Sequence, residues 1–167
     1  MKRLFLVLVL FFFILASVSS QERKHTVFAD IFPMFNGIFS GGVGLGIGYD
    51  YRINEYFSIG SYINFFSNFN ENMTYNIILN GRFYPINTEI GAPYIDLGLG
   101  YRRRRSEEDN IHCLSGVANI GYRFIFNNGL VLDPAFGIRY NLLPFSGYEN
   151  FNFGYNIKAV IGYTLSK

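Results

Sequence analysis

Gly42-Val43-Gly44-Leu45-Gly46-Ile47-Gly48-Tyr49-Asp50-Tyr51 alternates, residue by residue, between two chemistries. Val43, Leu45, Ile47, Tyr49 and Tyr51 share one face; the glycines and Asp50 share the other. A period of two belongs to a β-strand, whose successive side chains leave opposite faces of the sheet. A half-buried strand in water would set Lys, Glu, Thr or Gln against its apolar face. Here the second face is small and the first is greasy and aromatic. That is the pattern of a strand showing its apolar side to lipid and its small or polar side to a lumen.

The same alternation runs to the end of the chain. Eight strands are expected near 25–34, 42–52, 56–66, 74–85, 93–102, 113–126, 130–140 and 151–165. In the last, Phe151, Phe153, Tyr155, Ile157, Ala159, Ile161, Tyr163 and Leu165 fall on one face. Asn152, Gly154, Asn156, Lys158, Val160, Gly162 and Thr164 fall on the other. The connections alternate in length. Ile53-Asn54-Glu55 and Asn127-Asn128-Gly129 are short, and Asn-Gly is a strong hairpin signal because a type I′ turn needs positive φ at both central residues. Ile86 to Ala92 is intermediate, while 35–41, 67–73, 103–112 and 141–150 are longer and polar. Short turns at one end and long loops at the other is an outer-membrane arrangement, with turns and both termini on the periplasmic side. Crossings of about 9–11 residues allow eight strands in this length and not sixteen. The fold class expected is all-β, an eight-stranded antiparallel up-and-down transmembrane β-barrel. Tyr49, Tyr51, Phe83, Phe124, Phe126 and Tyr163 would form the turn-end aromatic girdle, and Phe65, Tyr101, Tyr140, Phe151 and Phe153 the loop-end one.

The N-terminus reads as an address. Lys2 and Arg3 precede the apolar run Leu4–Leu15, and Val18-Ser19-Ser20 offers a cleavage site before Gln21. The run is shorter than the roughly twenty residues of a spanning helix, so 1–20 is expected to be a secretory signal peptide and 21–167 the barrel. Charged residues are 16% of the chain, against roughly 25% in soluble domains, and aromatics reach 19%. Lys2 and Arg3 account for the excess of 14 basic over 12 acidic residues, so residues 21–167 are formally neutral and no nucleic-acid partner is indicated. Cys113 is the only cysteine, which excludes an intrachain disulfide.

Alternation applied to the charges gives an interior. Asp30, Asp50, Asp96 and Asp133 are expected to point inward, as are Arg82, Arg123, Arg139 and Lys158. Four acids facing four bases should pair, because a buried charge left alone costs several kcal/mol. Eight strands enclose a space that side chains can fill, so a closed, salt-bridged interior is expected rather than a pore. Pro134 is out of place in a strand interior unless it meets a bulge or an unpaired position.

Gly48-Tyr49, Gly81-Arg82-Phe83-Tyr84-Pro85, Gly100-Tyr101-Arg102, Gly121-Tyr122-Arg123-Phe124 and Asn128-Gly129-Leu130-Val131-Leu132-Asp133-Pro134 carry a family resemblance. Over 25–165 the chain resembles the small eight-stranded outer-membrane barrels of OmpA/OmpX-like architecture and the outer-membrane β-barrel domain proteins. The resemblance implies architecture, outer-membrane lipid as surroundings and the barrel-assembly machinery as a partner during insertion. It does not imply a ligand. The chain departs from it in lacking Trp and in closing on Leu165-Ser166-Lys167 rather than a terminal aromatic.

Other motifs carry less. No helical pattern follows the Gly-x-Gly spacing at 42–48, so it is no phosphate loop. Glu107, Glu108, Asp109, His112 and Cys113 have no ligand spacing, and no metal or cofactor is expected. His112 and Ser115, three apart, fall on opposite faces of a strand, so no catalytic residues are assigned. Arg102-Arg103-Arg104-Arg105 and Ser106-Glu107-Glu108-Asp109 are expected on the third long loop. As a solvated connection the two halves neutralise each other; as a recognition surface, Arg103, Arg104 and Arg105 would hold an anionic glycolipid or polysaccharide. The function expected is a monomeric, non-enzymatic outer-membrane barrel with a structural or surface-binding role. The alternatives are a soluble exported lipocalin-like barrel holding a small apolar ligand, with its faces reversed, and a narrow ion or solute channel.

Overall fold

The computed structural model describes residues 25–34, 41–68, 73–86, 91–105, 110–144 and 153–165. The expected signal peptide and Phe151 lie outside them. Eight strands follow in chain order: β1 (His25–Asp30), β2 (Gly42–Arg52), β3 (Phe57–Asn68), β4 (Met73–Phe83), β5 (Gly91–Arg105), β6 (Asn110–Ile125), β7 (Leu130–Pro144) and β8 (Phe153–Leu165). Each pairs antiparallel with the next, and β1 pairs with β8, closing the barrel. Closure leaves no strand edge unpaired.

Side-chain parity follows the sequence. Leu79 is 68% exposed, Ile120 65% and Tyr155 74%, all on the outer wall. Apolar residues on every strand share that wall, from Val27 on β1 and Ile47 on β2 to Ile161 on β8. The aromatic face therefore does not line the barrel interior, as a lipocalin-like barrel would require. Aromatic pairs mark both ends of the belt, Phe57–Phe83 at 5.1 Å at the turn end and Phe65–Tyr75 at 5.2 Å at the loop end.

The inner glycines make room. A Cβ on Gly48 would sit 2.3 Å from the Phe28 ring, and one on Gly121 2.4 Å from Tyr94. Gly129 does a different job. Gly129 N–H donates to the Phe126 carbonyl at 2.9 Å and Phe126 N–H to Leu130 at 2.9 Å, enclosing a three-residue loop that ends on Gly129 at φ 86°. A three-residue loop completed by a left-handed glycine is thus used where the Asn-Gly pair suggested a two-residue turn. At the β2–β3 turn, Asn54 Oδ1 accepts the N–H groups of Tyr56 and Phe57, both at 2.8 Å.

Pro134 is accommodated by an interrupted ladder. Its carbonyl points toward Gly121 on β6, and a strand residue's N and C=O leave on the same side. The missing N–H therefore faces β6, and the β6–β7 pairing lapses between Gly121↔Ala135 and Phe124↔Leu132. On the β8 side the register continues through Pro134↔Ala159. One further irregularity, between Leu114 and Ser115, makes Leu142 an extra residue on β7.

The wall is taller than the sequence suggested. β5 and β6 pair as far as Arg105↔Asn110, so Arg103, Arg104 and Arg105 are strand residues and not loop residues. Above the lipid both faces of a strand meet water, so it needs no apolar side while its ladder bonds still form. Dense charge therefore does not end a strand there.

Candidate functional site

The interior is the densest chemistry in the molecule, and strand parity builds it. Counting inward from Gly42 brings Asp50 to the lumen on β2; the same counting brings in Arg82, Asp96, Arg123, Asp133 and Lys158 on five other strands. Arg123 donates through Nη1 to Asp50 Oδ2 at 2.7 Å and through Nη2 to Asp133 Oδ2 at 3.0 Å. Arg82 Nη1 donates to the same Asp133 oxygen at 2.7 Å, and Tyr94 donates its hydroxyl to Asp133 Oδ1. Arg82 Nε lies 3.7 Å from Asp96 Oδ2, which also accepts from Lys158 Nζ at 2.9 Å. The result is an alternating chain, Asp50–Arg123–Asp133–Arg82–Asp96–Lys158, reaching across the lumen from β2 to β8.

All six side chains are at most 4% exposed. In a medium that screens weakly, such a chain holds only while every member is satisfied. Neutral groups complete much of it, while Arg82 Nε and Asp96 Oδ1 are buried with no hydrogen-bond partner. Ser58 Oγ donates to Asp50 Oδ1 at 3.0 Å and Asn119 Nδ2 to Asp96 at 3.3 Å. The guanidinium of Arg82 stands 4.8 Å over the Tyr94 ring, and Lys158 Nζ 4.0 Å over Tyr62. Next to the network Phe28, Tyr62, Ile78, Val117 and Val160 form an apolar cluster inside the barrel.

Two of the eight expected network residues stand apart. Asp30 Oδ1 accepts the N–H groups of Phe32 at 3.1 Å and Ala159 at 3.2 Å, tying the chain where it leaves β1. Arg139 donates Nη2 to Asn156 Oδ1 at 2.6 Å, a neutral acceptor. Among the described residues neither makes an ion pair, which corrects the four-against-four pairing. Pairing across a lumen depends on strand stagger, which places Arg139 toward the loop end, away from Asp96 and Asp133.

The sequence reading also missed inward bases. Asp96, Gly98 and Gly100 face the lumen, so the same parity carries Arg102 and Arg104 inward once β5 is seen to extend. Arg103 and Arg105 then face outward, beyond Tyr101 on the same strand. Arg103 Nε donates to Asn110 Oδ1 at 3.1 Å. At the turn end Arg52 donates to the carbonyls of Asn54 at 3.2 Å and Glu55 at 2.7 Å, its guanidinium 4.6 Å over the Tyr84 ring.

His112 and Cys113 occupy opposite faces of β6, so they cannot share a metal ion. His112 bonds through Nδ1 to the Tyr101 hydroxyl on the outer wall, whereas Ser115 donates inward to the Gly100 carbonyl at 3.4 Å. A nucleophile and base on opposite sides of a barrel wall cannot act together. Glu107, Glu108 and Asp109 lie outside the described residues.

Comparison with solved structures returns barrels of this kind. The crystal structure of Neisserial surface protein A (NspA) matches with a TM-score of 0.59 at 14% identity, covering 84% of this chain and 94% of that one. Ail, the attachment invasion locus protein of Yersinia pestis, matches with a TM-score of 0.49 at 14% identity, covering 88% of this chain and 100% of that one. No family model and no curated protein sequence matches the chain. The chain has the fold of the small eight-stranded outer-membrane β-barrels.

Proposed function

We propose that residues 21–167, exported by the signal peptide 1–20, form an integral outer-membrane barrel without enzymatic activity. The barrel is monomeric, its interior is closed to ions, and it serves the envelope through its loop end. The observation that carries this reading is the opposition of the two faces: an apolar belt on every strand outside, and a charge chain anchored on six strands inside. An ion crossing the lumen would have to part Arg123 and Arg82 from Asp133, leaving buried charges unpaired at several kcal/mol each. The outward Arg103 and Arg105, next to Tyr101, suit contact with anionic headgroups of the surrounding outer-membrane lipid, glycolipid or polysaccharide.

The test is fractionation joined to conductance. The mature chain should begin near Gln21, sediment with outer membranes, need detergent for extraction and migrate differently before and after boiling. In planar bilayers it should show no steady conductance. Recovery as a soluble periplasmic monomer would overturn the membrane reading; a steady conductance altered by Arg123→Leu would overturn the closed interior.

A further inference from the structure

We propose that the loop-end mouth of the lumen is an anion-binding site, in which Arg102 and Arg104 hold a terminal phosphate or carboxylate of a ligand entering from that end, with Arg139 adding positive charge nearby. The site rests on the proposed function only for the side of the membrane that the mouth faces.

Unbalanced charge is the first ground. The alternating chain deeper in the barrel is neutral by itself, three acids to three bases, and Asp96 is taken by Lys158 and Arg82. Asp30 bonds two backbone N–H groups, and its carboxylate offsets part of the charge of Arg139 without making an ion pair with it. Arg102 and Arg104 on β5 and Arg139 on β7 thus face the lumen with no ion pair among the described residues. Arg102 and Arg139 are close enough to repel one another.

Unused donors are the second ground. Arg102 Nε and Arg139 Nε are buried and have no hydrogen-bond partner. Buried guanidinium donors without an acceptor are costly, and a bound anion supplies both the acceptor and the countercharge. Arginine suits the role because its planar donors match the oxygens of phosphate and carboxylate in pairs.

Shape sets the ligand class. Arg102, Arg104, Ile111, Cys113 and Asn141 enclose a cavity of about 20 Å³. That is room for one water-sized group. A single oxygen of an oxyanion enters, and the rest of the ligand stays at the opening, where Arg104 is exposed. Asn141 can offer its amide nitrogen, since its terminal oxygen and nitrogen exchange by rotation of the amide.

The test uses the folded full-length mature protein in zwitterionic micelles, with inorganic pyrophosphate as the probe and calorimetric titration as the readout. The parent should bind pyrophosphate saturably. Arg102→Gln and Arg104→Gln should each weaken binding at least about tenfold, the loss of one charge-assisted donor pair. The outward double variant Arg103→Gln, Arg105→Gln should stay within about twofold, because its side chains leave the other face of the wall. Should Arg102→Gln fail to fold, Arg104→Gln at the rim decides. Absence of saturable binding by the parent, or equal loss in the outward double variant, would overturn the site. Adding a bisphosphorylated glycolipid to the micelles separates the sources. Displacement of pyrophosphate assigns the site to a lipid headgroup; undiminished binding assigns it to a soluble oxyanion. Gel mobility before and after boiling, read on the same samples, tells loss of the site from loss of the barrel.

Discussion

Replacing Arg123 with Leu cuts the charge chain where it has least redundancy. Asp133 would keep Arg82 and Tyr94, but Asp50 would keep only the Ser58 hydroxyl. At an effective dielectric near 20, a contact at the 2.7 Å seen between Arg123 and Asp50 represents roughly 6 kcal/mol of gross attraction, most of it offset by desolvating both groups. What truncation exposes is the orphaned carboxylate, so Arg123→Leu should cost about 3–5 kcal/mol. Asp50→Asn in the same chain removes the orphan and should recover about 2 kcal/mol of that, a coupling between touching residues. Urea unfolding of the refolded barrel in lipid would measure both, followed by far-ultraviolet circular dichroism because the chain has no Trp. Parent-like stability of Arg123→Leu, or a double variant no better than the single, would refute a network in which Arg123 is the partner of Asp50.

Arg139→Leu should cost no more than about 1 kcal/mol in the same assay, since it loses one bond to the neutral Asn156 and strands no acid. On the outer wall, Leu79→Arg should cost about 2–4 kcal/mol and slow insertion into vesicles if that wall meets lipid; an effect within about 0.5 kcal/mol would mean that it meets water. Gly137→Ala should destabilise by about 1–3 kcal/mol, because its Cβ would stand 2.0 Å from the Ala118 carbonyl oxygen. Gly154→Ala has nothing within 4 Å of the new methyl and should leave the unfolding midpoint unchanged.

Parity was legible in the chain from the first strand quoted. A side chain's face depends only on its distance along one strand, a local property, so the outer belt and the inward direction of Asp50, Arg82, Asp96, Arg123, Asp133 and Lys158 could be counted off. The turns at Asn54 and Gly129 were local too, though the number of residues each encloses was set by the hydrogen bonds its flanking strands make. Strand ends were harder. Apolar alternation marks where lipid begins and ends, while β5 and β6 pair on through Arg105 and Asn110 because backbone bonds need no apolar face. That difference moved Arg104 from a loop into the lumen, beyond Arg102. Partnership across the barrel was decided by tertiary structure alone. Which acid meets which base depends on the stagger accumulated around eight paired strands, a sum of registers that no single segment carries. It brings Arg82 and Arg123 to one oxygen of Asp133, engages Asp30 with the backbone, and leaves Arg139 beside an asparagine.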